Sequence, residues 1–570
     1  MSQKLFLVTA GGTGMRCLQS FINLCALGMF PNTDIDILLL ETDEENKDKK
    51  NTENLIQYYK KIQGSEGSNN SKDRGVGEFF SANINLYVFV PDYSTEETRN
   101  FVVLSQVERG NSETNRMLAN IFYEEGVQEF NLAHGYRAQT HLGSYLMYHA
   151  FIDEIRKSTA SDEYGRNSDL FKFIKHINSA NQVGAKVFSL GSSFGGTGAS
   201  SIPVVPRAIS DSCKIISDDK IKMENIYYGA VVLSSYFNFP PPSDAHKKKD
   251  KIIADSQFFQ HNSAAALMYY VNDTTILKTY KRLYMLGWGD FKLTDTQEFK
   301  NLYAEDIGGS TVTGGKKQQN PAHILELFGA MAAKHFFDEA TTKTEELTQI
   351  SSTEFKYKSL DSEKNETSYI PSVKFEDLYS TKGDENNKGE RATHEKIRDN
   401  FTAFFSLGCI LKKHYDRDIT FLFNDLRLYN SNYDQISDDQ IEGLNRFFEY
   451  FTDIPIQSSS EQTSDYPGWF KQIHKTFHGT PGNGPDEKSF FGLSSKSFHK
   501  DEWWENYMEL RGLKEEQAKD KFISLFKKTN KNKPTGTNND FLIAIRNTFF
   551  QLETYDAASP KAGSSKKTTK

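Results

Sequence analysis

AKVFSLGSSFGGTGASSIPVVPRAIS, residues 185–210, carries the reading of the fold. Its opening is a short apolar run of the kind that parallel sheets bury on both faces. A glycine-rich turn follows, then a segment of small and apolar residues that reads as a helix. Such a turn presents backbone N–H groups at a helix N-terminus. Glycine lets an anion come close to those groups, and the helix dipole adds favourable charge. KLFLVTAGGTG, residues 4–14, has the same form, and Leu18, Phe21, Ile22 and Cys25 continue at helical spacing until Gly28 and Pro31. IDILLLE (35–41), INLYVFV (84–90), NIYYGAVVLSSYFNF (225–239) and RLYMLGW (282–288) supply further strands. This order predicts an α/β domain with a doubly wound, mostly parallel sheet.

The rest of the chain bounds the function. Its 570 residues suffice for two or three domains with their own cores. Sixty-eight basic and 76 acidic residues give a net charge of −8, no field for nucleic acid or anionic membranes. No run approaches 18 apolar residues, and the apolar stretch after Met1 is too short for a signal peptide. Cys17, Cys25, Cys213 and Cys409 form no CxxC pair, so they read as reduced core residues of a cytoplasmic protein.

Residues 1–345 form the expected nucleotide-binding domain, closed by a long helix from Ala322 to about Glu345. Within it, residues of about 45–82 and 91–131 read as exposed insertions, the first with a helix around 52–62. Residues 346–395 read as a polar connecting loop, 396–555 as a mostly helical C-terminal domain, and 556–570 as a disordered basic tail. Helices are expected at 392–415, 438–451, 501–528 and 539–552.

FGGTGAS (194–200) resembles the GGGTGTG-type phosphate signature of the tubulin/FtsZ-like superfamily, with Phe194 and Ser200 where that family has glycine. The likeness continues in order. GGTGMRCLQS (11–20) resembles the family's first glycine loop, with Arg16 in place of a base-contacting Asn. DILLLETDEEN (36–46) resembles its second strand and loop, YRAQTHLGS (136–144) its third loop, and AVVLSSYFNF (230–239) a later strand. HILELFGAMAAKHFF (323–337) resembles the start of its central helix. The resemblance implies GTP or GDP with Mg²⁺, held by Gly11, Gly12, Thr13, Gly14, Met15, Arg16 and Asp43 at the first two loops. Arg137 would lie near the phosphates. Ser193, Phe194, Gly195, Gly196, Thr197, Gly198 and Ala199 form the signature loop, and Asn320 and Phe328 are the base-contact candidates. Asp43 would hold Mg²⁺ directly or through water.

In the family a neighbouring subunit completes the active site with an acidic loop. SVKFEDL (372–378) resembles that loop, making Glu376 and Asp377 the catalytic candidates; NSNYDQISDD, with Asn432, Asp434 and Asp438, is the rival segment. The implied activity is weak GTP hydrolysis in a head-to-tail homopolymer. The alternative is a nucleotide-sensing module that docks a protein partner through the insertions or the C-terminal region. A P-loop is excluded because no G-x-x-x-x-G-K-[ST] occurs, and a nicotinamide oxidoreductase is weaker because G-x-G-x-x-G is missing. His134, His141 and His149 lack metal-ligand spacing.

Overall fold

The apolar run after Gln3 forms strand β1 (Lys4–Ala10), buried on both faces from Leu5 onward. The computed structural model describes residues 4–31, 33–43, 46–63, 79–91, 113–132, 135–181, 184–217, 225–237, 252, 254–287, 322–338, 346–350, 356–358, 367–369, 372–373 and 438–452, with isolated positions at 469, 473, 524 and 528. Strands β2 (Asp34–Leu40), β3 (Asn83–Phe89), β4 (Ala185–Ser192), β5 (Ile226–Leu233) and β6 (Tyr280–Leu286) join β1 in a parallel sheet. Their order is β3-β2-β1-β4-β5-β6. Two short strands, β7 (Glu346–Ile350) and the two-residue β10 (Ser372–Val373), continue it in parallel beyond β6. Between them, β8 (Lys356–Lys358) and β9 (Thr367–Tyr369) form a separate antiparallel ribbon.

The described helices of ten or more residues are α1 (Gly11–Ala26), α2 (Lys47–Gln63), α3 (Glu113–Phe122), α4 (Thr140–Ala160), α5 (Asp169–Ala180), α6 (Gly196–Ser217), α7 (Phe259–Asn272), α8 (Ile324–Asp338) and α9 (Asp438–Thr452). The chain winds outward from β1 to β3, then from β4 to β6 in the opposite direction. That makes the domain doubly wound, with the strand order reversing between β1 and β4. Crevices outside the carboxyl ends of strands at such a reversal are where open α/β sheets bind ligands.

The chain separates into two compact units: residues 1–24, 32–56 and 82–388, and residues 25–31, 57–81 and 389–570. The first holds the sheet. In the second, Phe447 of α9 meets Phe80 edge-on at 5.2 Å, Tyr59 meets Phe80 at 5.3 Å, and Lys61 Nζ lies 2.7 Å from Glu442. Within the segment expected as an insertion at 45–82, the helix expected around 52–62 is present as α2, but one stripe of it is buried rather than exposed. Leu55, Ile56, Tyr59 and Ile62 are buried on α2, a helical stripe that the surrounding Lys and Asn obscure.

Residues 346–395 are likewise not simply a connecting loop, because β7 and β10 extend the sheet. ELTQI is short and half polar, so composition alone reads it as loop. The described part of the expected long helix is α8, Ile324–Asp338, which buries Ile324, Leu327, Phe328, Met331 and Phe336 as its spacing implies. The helix expected at 438–451 matches α9. The helices expected at 392–415, 501–528 and 539–552 fall outside the described residues, apart from two isolated positions. Among the described residues, no helix is long and apolar enough to cross a membrane. Cys17, Cys25 and Cys213 are buried and unbridged.

Helix α6 contains Pro203 and Pro206, which cannot donate to the carbonyls of Ala199 and Ile202 four residues earlier. Tyr270 Oη donates to Ala199 O at 3.0 Å, and Tyr280 Oη donates to Ile202 O at 2.5 Å. Each orphaned carbonyl thus receives a tyrosine hydroxyl, and the prolines are tolerated without breaking the helix. Tyr270→Phe and Tyr280→Phe should each lower the unfolding free energy by about 1–3 kcal/mol, the cost of leaving a buried carbonyl unsatisfied. Urea denaturation of the two variants checks this, and unchanged midpoints would show that water reaches those carbonyls.

Candidate functional site

The two glycine turns meet where the winding reverses. Gly11 begins α1 directly after β1, and Gly196 begins α6 four residues after β4, so two helix N-termini converge on one cleft. A Cβ on Gly11 would stand 3.2 Å from both the Gly198 nitrogen and Thr197 Cβ. One on Gly14 would stand 2.5 Å from Leu190 O, so only glycine lets α1 pack this closely onto β4. The Thr42 and Thr197 hydroxyls share a hydrogen bond of 2.8 Å, tying the end of β2 to the second turn.

The cleft has a volume of about 130 Å³ and an open mouth. Gly11, Gly12 and Thr13 from the first turn and Gly195, Gly196, Thr197 and Gly198 from the second line it, five of these seven being glycine. On the β2 side stand Glu41, Asp43, Asn46 and Asp48. Glu41 accepts hydrogen bonds from the Thr42 and Asp43 amides at 2.8 and 3.1 Å and from Asn46 Nδ2 at 2.7 Å. Burial and then the neighbouring Asp43 push its carboxyl up to about 7.

A third wall comes from Gly135, Tyr136, Arg137 and Ala138, ahead of α4. Gly135, Arg137 and Ala138 have φ of 76°, 45° and 65°. Two of these residues carry side chains, and non-glycine residues held in the left-handed region store strain of the kind that clusters at functional sites. The Arg137 guanidinium donates to Ile252 O at 2.7 Å and lies 5.8 Å from the Phe130 ring centroid.

The β5 side is aromatic. Phe194 packs on Phe259 at 4.8 Å and on Phe237 at 5.5 Å, and Arg16 lies 5.5 Å from the Phe237 centroid. Arg16 is buried against Glu326 in the first turn of α8. Its Nε donates to Glu326 Oε1 at 2.6 Å, its Nη2 forms an ion pair with the same oxygen, and Tyr236 Oη donates there at 2.7 Å. Burial works against the Arg16 charge, but Glu326, with help from Tyr236 and Asp48, outweighs it and holds the pKa above the usual value. Burial and the Arg16 charge push neighbouring His323 down to about 3, so it is neutral.

Of the residues expected from sequence, Gly11, Gly12, Thr13, Arg16, Asp43, Arg137, Phe194, Gly195, Gly196, Thr197 and Gly198 line the cleft. Gly14, Met15, Ser193 and Ala199 stand behind it: Met15 is fully buried, Ser193 Oγ donates to Leu233 O, and Ala199 O takes the Tyr270 hydroxyl. Phe328 is corrected. It is 1% exposed within the apolar face of α8 and does not line the cleft. Arg16, expected beside a base, has its Nε and Nη2 tied to a carboxylate 310 positions away. Asn320, Glu376, Asp377, Asn432 and Asp434 lie outside the described residues; Asp438 begins α9. His141 stacks on Tyr123 and His149 packs on Tyr145, which fits aromatic packing.

The sequence reading did not single out Asn46, Asp48, Ala138, Phe237, Phe259 or Glu326. A signal existed for the first two: ETDEENKD (41–48) is an acidic run directly after a buried strand. No family model matches the chain, and searches of the curated proteins and of the solved structures likewise gave no match.

The Glu41 shift gives a pH dependence with a definite sign. A carboxyl near 7 in the folded chain and 4.5 unfolded binds its proton more tightly when folded. Its stabilising contribution is complete below about pH 4.5 and is lost as pH rises through about 7. In Glu41→Gln that decline should vanish. The stability of the wild type relative to the variant should therefore fall by about 2–3 kcal/mol between pH 4.5 and 8, at 1.36 kcal/mol per pKa unit. Urea titrations across that range check it; parallel curves would contradict the shift.

Proposed function

We propose that the chain is a GTP/GDP-binding protein of the tubulin/FtsZ-like kind, assembling head to tail into filaments with slow hydrolysis at subunit junctions. The observation that carries this reading is the convergence of two glycine turns and two helix N-termini at the strand reversal; backbone amides would be the phosphate donors, since the sequence has no P-loop lysine. Amides at Gly11–Thr13 and Gly195–Gly198 hold the phosphates. Asp43, with Glu41 behind it, would hold a divalent cation such as Mg²⁺ directly or through water, and the ion would supply charge neutralisation at the phosphates. Arg137 exchanges the Ile252 carbonyl for a terminal phosphate, where its fork is better matched. Head-to-tail contacts that do not close give open polymers.

A second reading, a nucleotide-sensing module that does not polymerise, draws on β10. Ser372 and Val373 run parallel to the other strands, so β10 ends at the same edge of the sheet as the cleft. An acid acting on a neighbour's nucleotide in a head-to-tail polymer should start from the opposite edge.

Turnover and sedimentation separate the two readings. For the polymer, GTP should drive the protein into the pellet, and turnover per molecule should rise with protein concentration. Asp377→Ala should bind GTP normally, turn over about ten- to a thousandfold more slowly, and regain activity when mixed with Gly196→Val. A rate per molecule that is flat with concentration, with no rescue and no pellet, supports the sensor instead.

A further inference from the structure

Three walls of the cleft meet at Thr42, which stands behind the lining residues, 1% exposed between Glu41 and Asp43. Its hydroxyl lies 2.8 Å from the Thr197 hydroxyl of the second glycine turn. A Cβ on Gly135, in the third wall, would stand 3.4 Å from the same oxygen.

Proton counting gives that hydrogen bond a direction. A threonine hydroxyl donates one proton. Thr197 Oγ1 directs its own to Glu41 Oε1 at 3.4 Å, so Thr42 is the donor to Thr197. The Thr42 amide donates to the same Glu41 oxygen at 2.8 Å. A ring closes, from the Thr42 hydroxyl to Thr197, from Thr197 to Glu41, and back to Thr42 through its amide. Asn46 Nδ2 holds the other Glu41 oxygen at 2.7 Å, and Asn46 Oδ1 accepts from the Asp48 amide at 2.9 Å. Thr197 and Glu41 are 6% and 2% exposed, so water competes poorly for these groups, and linked hydrogen bonds strengthen one another.

We propose that Thr42 is a positioning residue: its hydroxyl, through Thr197, holds the second glycine turn at the distance from the β2 wall that a phosphate chain requires. This rests on the nucleotide reading above and adds to it a residue that acts without touching the ligand. Gly195, Gly196 and Gly198 admit an anion because they lack a Cβ, and for the same reason they wander more freely and offer no side chain to grip. Thr197 is the one handle among the four turn residues, and Thr42 holds it. Without that hold the turn's amides lose their aim while the strands and helices behind them stay intact.

The test is equilibrium titration of the full chain with GTP and with inorganic tripolyphosphate, both in Mg²⁺. Thr42→Val keeps the shape and removes the hydroxyl. It should weaken both probes by the same factor, about three- to thirtyfold, the range for one buried hydrogen bond whose partner is left stranded. Thr42→Ser returns the donor and should recover affinity to within about threefold of the native chain. Thr197→Val should lose about as much as Thr42→Val, and the double valine variant little more than either, because both changes remove one bond. Hydrogen exchange of the ligand-free Thr42→Val chain should quicken over residues 190–202 and not across the rest of the sheet. The proposal is overturned if Thr42→Val binds both probes as the native chain does, or if Thr42→Ser is as weak as the valine form. Losses that add in the double variant, a loss confined to GTP, or exchange that quickens throughout the sheet would overturn it as well. If neither probe binds the native chain, the nucleotide reading itself fails and takes the proposal with it.

Discussion

Gly196→Val should bind GTP at least a hundredfold more weakly than the native chain while remaining folded. A Cβ at position 196 would stand 3.0 Å from the Ala138 nitrogen and from Tyr136 Cβ, and 3.1 Å from the Tyr136 carbonyl carbon. Those atoms belong to the strained wall 135–138, so a branched side chain drives that wall and the α6 N-terminus apart. Two amide–phosphate bonds are lost, each about 1.5–3 kcal/mol when the acceptor is charged, which together give roughly a hundred- to ten-thousandfold. Isothermal titration with Mg²⁺·GTP measures the loss, and circular dichroism confirms the fold. Gly196→Ala, which lacks the branch, should lose less. Equal affinity for GTP in native and valine forms would mean that the second turn does not hold the phosphates.

The second large effect concerns stability. Arg16 and Glu326 are 4% and 1% exposed, and each neutralises a charge that water cannot reach. Removing one partner leaves the other buried and uncompensated, so Glu326→Ala should cost about 3–5 kcal/mol. Replacing both partners with apolar residues of similar size is a milder change, because no charge is stranded. Arg16→Met with Glu326→Leu should therefore recover much of the loss. Urea unfolding of the single and double variants reads this directly. If the double variant is as unstable as the sum of the singles, the pair is not coupled as described.

These two predictions mark how far the sequence was legible. The glycines at 11, 12, 195, 196 and 198 were readable because backbone approach to an anion demands a missing Cβ, and that demand is local. Strands β1, β2 and β4 were readable for a similar reason: burial on both faces leaves an uninterrupted apolar run. Arg16 shows the limit. Its neighbours in sequence suggest a base contact, but its partner is 310 residues away, and no periodicity reports such a pair. Phe328 fails differently. It follows helical spacing well enough to be placed on α8, yet spacing cannot say which apolar residue faces a ligand and which faces the core. The aromatic end required Phe194, Phe237 and Phe259 to be brought together from three segments, which only the fold does. In α2 the helix itself was legible at 52–62, but its few buried apolar residues sit inside a strongly polar composition, which read as exposed.

The central claim is that backbone amides at both glycine turns hold a nucleotide, and hydrogen exchange reads the protection of those amides segment by segment. The full chain should be exchanged with and without saturating Mg²⁺·GTP and followed by mass spectrometry. Segments covering residues 10–18 and 190–202 should slow together on ligand addition, with 135–140 following, and Gly196→Val should show no such protection. Saturable GTP binding that leaves both turns exchanging at their free rates would contradict the claim.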